Sequence, residues 1–67
     1  MKIRPVAIKN MMAVRLMTQE ELAQAAGVSR QTINTLLLKG SCSAKTARKI
    51  AQALNVEPVA FVKELEE

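Results

Sequence analysis

Gln19–Leu38 reads QEELAQAAGVSRQTINTLLL. Two short helical patterns meet in it, with only a few residues between them. Leu22, Ala23 and Ala26 make one apolar stripe at helical spacing, and Ile33, Leu36 and Leu37 make a second. Gly27 and Val28 lie between. A steep crossing of two helices over so short a turn makes specific demands. The first helix needs a small residue at the crossing, and Ala23 is small. The turn needs a residue that tolerates positive φ, and Gly27 follows four residues later. An apolar plug must then close the gap between the helices, and Val28 fits. The spacing predicts a first helix opened by a capping box of Thr18 and Glu21, and a second, over about 29–38, capped by Ser29.

The outer face of the second helix is polar and carries no acid. With Ile33 at 0° and ~100° per residue, Arg30, Asn34, Gln31 and Thr35 fall between roughly 60° and 200°, opposite the core. Arg pairs with the guanine edge in the DNA major groove, and Gln or Asn with the adenine edge. A helix face selected only for solubility is richer in Glu and Lys. The bland alternative is an antiparallel helix pair with a purely structural role.

Outward from this stretch, Pro5 opens a first helix, with Ile8 and Met11 expected to face the core. Ser43 caps a fourth, with Ala47, Ile50, Ala51 and Leu54 at core spacing. Pro58 opens a fifth, carrying Val59, Phe61, Val62 and Leu65, although Glu57 is a poor cap for it. No strand, repeat or low-complexity tract is evident.

The whole chain has 67 residues, the size of one small domain, expected to span 1–67 with the motif at 19–38. At this length no separate effector-binding domain is expected. Hydrophobic residues are 49% of the total and one is aromatic, which suits close-packed helices. A single cysteine, Cys42, allows no internal disulfide, and without histidine no zinc site is expected. No cofactor is expected. The reducing cytoplasm is the expected location, with association to the nucleoid when bound. No apolar run approaches the ~18 residues of a membrane span. The chain also lacks Asp, His and Tyr and has no glycine-rich phosphate loop, so no enzyme activity is expected.

Net charge is +4, and its distribution is more informative. From Leu22 to Val56 there is no Asp or Glu, while Arg30, Lys39, Lys45, Arg48 and Lys49 all fall there. A basic, acid-free centre suits a polyanion. An ordinary solvated lysine-rich face is the alternative. Met1–Met17 is also acid-free, the composition of a transit peptide or membrane-surface helix, but its apolar residues are better used in a core.

Thr18–Asn34, TQEELAQAAGVSRQTIN, resembles the Cro/CI-type (xenobiotic-response-element-like) helix-turn-helix family of phage and bacterial transcriptional regulators. Ser43–Val62, SAKTARKIAQALNVEPVAFV, is similar to that family's fourth and fifth helices. The resemblance implies an all-α, compact five-helix bundle of the lambda-repressor-like DNA-binding type, with helices 2 and 3 as the helix-turn-helix. It implies double-stranded operator DNA as partner, bound as a homodimer. By position, Arg30, Gln31 and Thr35 match base-reading residues, with Asn34 beside them. Gln19 matches a phosphate-binding residue, and Ser29 can join it. Lys39, Ser41, Ser43 and Lys45 flank a loop where the family makes further phosphate contacts.

The chain departs from this pattern in places. Where many members carry a Glu–Arg ion pair, it has Leu37 and Met12. Lys39 precedes Gly40, the reverse of the usual order, which leaves the loop path open. Leu38 points into the polar arc; it either folds over the loop, meets a thymine methyl, or meets another subunit. Val14 and Leu16 also exceed core needs. With Leu38 they make a candidate surface for a protein partner, as in an antitoxin or accessory module. Cys42 reads as a small buried hydrophobe, or as a redox-sensing thiol whose pKa Lys39 and Lys45 lower.

Overall fold

The computed structural model describes residues 1–63. Its element order is α1 (Pro5–Val14), α2 (Gln19–Ala26), α3 (Arg30–Lys39) and α4 (Ala44–Leu54), followed by a 3₁₀ turn at Pro58–Ala60. None of the described helices is long and apolar enough to cross a membrane.

Local chemistry sets the helix starts. Thr18 Oγ1 accepts the Glu21 amide at 3.1 Å, and the Glu21 carboxylate accepts the Thr18 amide at 2.9 Å, completing the capping box. Ser29 and Ser43 cap α3 and α4 by accepting the amides of Thr32 and Thr46. Each such cap contributes about 1 kcal/mol. Left-handed residues end the helices: Leu16 at φ 53°, Gly27 at 73°, Gly40 at 71° and Asn55 at 58°. After α1, α2 and α4 the amide that follows the left-handed residue reaches back five residues, as Val28 does to the Ala23 carbonyl at 3.0 Å.

The core joins all four helices. Ile8 and Met12 come from α1, Leu22, Ala23 and Ala26 from α2, and Ile33, Leu36 and Leu37 from α3. Ala47, Ile50, Ala51 and Leu54 come from α4, and Ile3, Phe61 and Val62 close the ends. Val28 packs against this cluster as the expected plug. α2 is central, packing on both α3 and α4. Met12 and Leu37, which stand where the resemblance implies an ion pair, are both buried.

Several expectations need correction. Met12, not Met11, is the buried methionine of α1, because it lies four residues from Ile8; Met11 is only partly buried. The fifth helix is not an α-helix. Three residues form the 3₁₀ turn, so the bundle has four α-helices among the described residues. Glu57 makes no side-chain cap, and the Lys63 amide donates to the Lys2 carbonyl at 2.8 Å rather than back along a helix. That bond draws the chain out of helical geometry. Phe61 and Val62 are buried as expected, but Val59 is exposed. Leu65, expected in the fifth helix, lies outside the described residues.

The bond to Lys2 belongs to a strap that the helical pattern does not announce. Residues 1–4 run extended between the α3–α4 loop and residues 61–63. Ile3 N–H donates to the Gly40 carbonyl at 2.9 Å, and Arg4 N–H to the Phe61 carbonyl at 2.7 Å. Isolated antiparallel bridges pair Lys2 with Ser41 and Ile3 with Val62. Of the apolar residues of the first segment, Ile3, Ile8 and Met12 serve the core as expected, whereas Val6, Val14 and Leu16 are exposed.

Candidate nucleic-acid interface

α3 is held by its inner face and presents its outer one. Ile33 and Leu36 are buried against α2, while Arg30, Gln31, Asn34 and Thr35 are all exposed. Gly27 makes this presentation possible: its left-handed backbone turns the chain from α2 into α3 within three residues. A Cβ there would meet nothing within 4 Å, so backbone strain is the whole reason for glycine.

Beside α3 runs an open groove of about 480 Å³. Gln31, Thr35 and Lys39 line it from α3, with Ser29 and Thr32 at the start of that helix. Ser41, Cys42, Ser43 and Thr46 line it from across the loop and the first turn of α4. Six of the expected contact residues therefore converge here: Ser29, Gln31, Thr35, Lys39, Ser41 and Ser43. Arg30 and Asn34 stand on the far flank of the α3 ridge, as their angles require. Gln19 and Lys45 also lie outside the groove lining, at the first turns of α2 and α4.

Thr32 and Thr46 were missed by sequence reasoning. The signal was present: Ser29–Thr32 and Ser43–Thr46 are the same Ser-x-x-Thr spacing at two helix starts. In each pair the serine oxygen takes the threonine amide, and the two hydroxyls bond at 2.9 Å and 3.0 Å. The Ser43 hydroxyl donates to Thr46, so an anion at α4 meets main-chain N–H groups more readily than that hydroxyl. Lys2 was missed as well. Its backbone pairs with Ser41, which sets another cation beside the α3–α4 loop.

The loop path is defined by Gly40. Its amide donates to the Leu36 carbonyl at 2.8 Å and its carbonyl accepts from Ile3, so Lys39 is the last helical residue and faces the groove. Cys42 follows, half-buried against the core. Burial pushes its thiol pKa up, and the nearby N-terminal ammonium offsets this only in part. The balance at Cys42 is therefore upward, the opposite of the lowering by Lys39 and Lys45 that the redox-sensing alternative needs. Leu38 does not fold over the loop, since 79% of it is exposed.

The groove and ridge are rich in hydroxyl, amide and cationic groups, and no acid is among the residues that line the groove. Glu21 is committed to the Thr18 cap. The arrangement can donate hydrogen bonds to anionic oxygens and to base edges without repelling phosphates.

Comparison with known proteins agrees with this geometry. Residues 8–61 match a family model described as helix-turn-helix. Over 52 residues, 78% of this chain, the sequence is 46% identical to the HTH-type transcriptional regulator PrtR of Pseudomonas aeruginosa. The matched part is 20% of PrtR, so the chain spans about a fifth of that relative's length. The whole chain also superposes on part of native PhpD, a structure with cadmium atoms. The TM-score is 0.80 at 27% identity, covering 100% of this chain and 15% of that one.

Proposed function

Since the chain belongs to the Cro/CI-type helix-turn-helix family of DNA-binding proteins, we propose that it is a sequence-specific transcriptional regulator, a small repressor that sets α3 in the operator major groove. The observation that carries this reading is the exposed, acid-free face of Arg30, Gln31, Asn34 and Thr35 on a helix anchored through Ile33 and Leu36. These four residues read base edges. Gln19, Ser29, Lys39, Ser41, Ser43 and Lys45 fix the register through phosphates, Ser43 chiefly through the main chain at α4.

The protein acts as a homodimer on a two-fold site, with its recognition helices about 34 Å apart, one turn of DNA. Repression follows from occupancy, and no catalytic step or cofactor is involved. One domain carries this activity, in the cytoplasm and on the nucleoid.

A second reading rests on exposed apolar residues. Val14, Leu16 and Leu38 are 84%, 88% and 79% exposed. In this reading the main ligand is another protein, as for an antitoxin or accessory subunit.

Selection from random-sequence duplex DNA at several salt concentrations tests the first reading. An enriched palindrome with affinity falling steeply as salt rises is the expected result. Uniform weak binding without an enriched sequence overturns it and favours the protein-binding alternative.

A further inference from the structure

Leu38 follows two core leucines, yet it takes no part in the core. Leu36 and Leu37 are 2% and 7% exposed; Leu38 is 79% exposed. Seven residues separate it from Gln31 within one continuous helix. Seven steps of ~100° return to within roughly 20° of the same direction, about 10.5 Å further along the axis. Gln31 and Leu38 therefore lie on one line of the exposed ridge, flanked by Asn34 and Thr35. The polar face ends in a single apolar side chain.

We propose that Leu38 is a specificity-determining residue that packs against the 5-methyl group of a thymine in the major groove. The inference rests on the DNA-binding reading above and adds to it the base that this position selects. Thymine alone presents a methyl group in the major groove. The other bases offer hydrogen-bonding groups there, and a leucine laid over them strips water without returning a partner. The residue thus favours thymine and disfavours its alternatives at once.

DNA suits Leu38 better than a second copy of the chain does. Interfaces between proteins have a contiguous apolar centre. The side chains sharing the ridge with Leu38 are Gln31, Asn34 and Thr35, with Lys39 next in sequence. Val14 and Leu16 lie on a different segment, at the end of α1 and just beyond it.

The test uses the full 67-residue chain and the duplex enriched by selection. Each thymine is replaced in turn by deoxyuridine, which deletes the methyl and leaves the pairing intact. At one thymine per half-site the replacement weakens the unaltered protein about fourfold, the factor that one lost methyl-sized contact represents. For Leu38→Ala the same replacement has no effect, and the variant keeps its helical content and Tm because the residue is exposed. A flat scan for a protein that still binds its site specifically overturns the inference alone. So does an undiminished deoxyuridine penalty in Leu38→Ala. So does equal weakening on every sequence with loss of the dimer, which assigns Leu38 to a contact between copies. Failure to enrich any sequence overturns the DNA-binding reading itself, and this inference with it.

Discussion

The Arg4 amide donates to the Phe61 carbonyl at 2.7 Å, tying the strap before α1 to the turn after α4. Phe61 is the sole aromatic residue of the chain, and it is fully buried. With the Lys63–Lys2 backbone bond, this contact and the buried ring fasten the strap to the residues after α4.

Truncating that side chain removes the largest group in the core. Phe61→Ala is expected to cost about 3–5 kcal/mol, comparable with the whole stability of a small domain. Urea denaturation followed by far-ultraviolet circular dichroism should show the variant largely unfolded without denaturant. A midpoint close to that of the unaltered protein would refute the central place given to Phe61.

Leu16 holds a left-handed backbone, φ 53°, at the end of α1, and its side chain is 88% exposed. A leucine there is strained without compensating burial. Leu16→Gly relieves the strain but frees the unfolded chain, so the net gain is expected to be up to about 1 kcal/mol. A rise in thermal midpoint checks it, and a fall would mean that Leu16 makes a stabilising contact in solution.

Gly27→Ala tests the opposite case. Space is open around the site, so only the positive φ of 73° resists a side chain. The expected loss is about 1–2 kcal/mol. Equilibrium unfolding measures it; a neutral result would show that the α2–α3 turn relaxes readily.

Arg30 and Lys45 separate the two kinds of DNA contact proposed here. Arg30→Ala should cost about 1–3 kcal/mol on the selected site and relax preference at one base pair. Lys45→Ala should weaken all sequences alike and reduce the salt slope by about one. Titrations on the selected site and a scrambled one, each at several salt concentrations, distinguish these patterns. Identical behaviour of the two variants would contradict the assignment.

Cys42 should react slowly with iodoacetamide near neutral pH, since burial raises its pKa and suppresses the thiolate. The sign for stability follows from the same shift. Folding favours the protonated thiol, so this contribution is complete below the ordinary thiol pKa and fades as pH rises through the raised one. Alkylation rates across pH, folded against urea-unfolded, provide the check. Faster reaction in the folded state would reverse the reading.

Much of the architecture was legible because its causes are local. Thr18, Ser29 and Ser43 each sit at a helix start with a bonding partner three residues on, and all three cap as expected. The inward residues of α2, α3 and α4 follow from period alone. Met11 and Met12 were harder to separate, since adjacent methionines on a short helix both lie near the boundary of the buried face. Val59 and the fifth helix were misjudged because the competitor for the Lys63 amide is Lys2, at the other end of the chain.

The candidate site divides in the same way. Sequence alone determined the exposed polar face of α3, its freedom from acid and the glycine turn that presents it, because helical period and φ preference act within a few residues. Only the tertiary structure decided that Ser41, Ser43 and Thr46 face Gln31 and Thr35 across one groove, that the strap brings Lys2 beside Ser41, and that Leu38 stays in the open. Those relations depend on how α4 and the strap settle against a shared core, and packing between distant segments leaves no periodic trace in the order of residues.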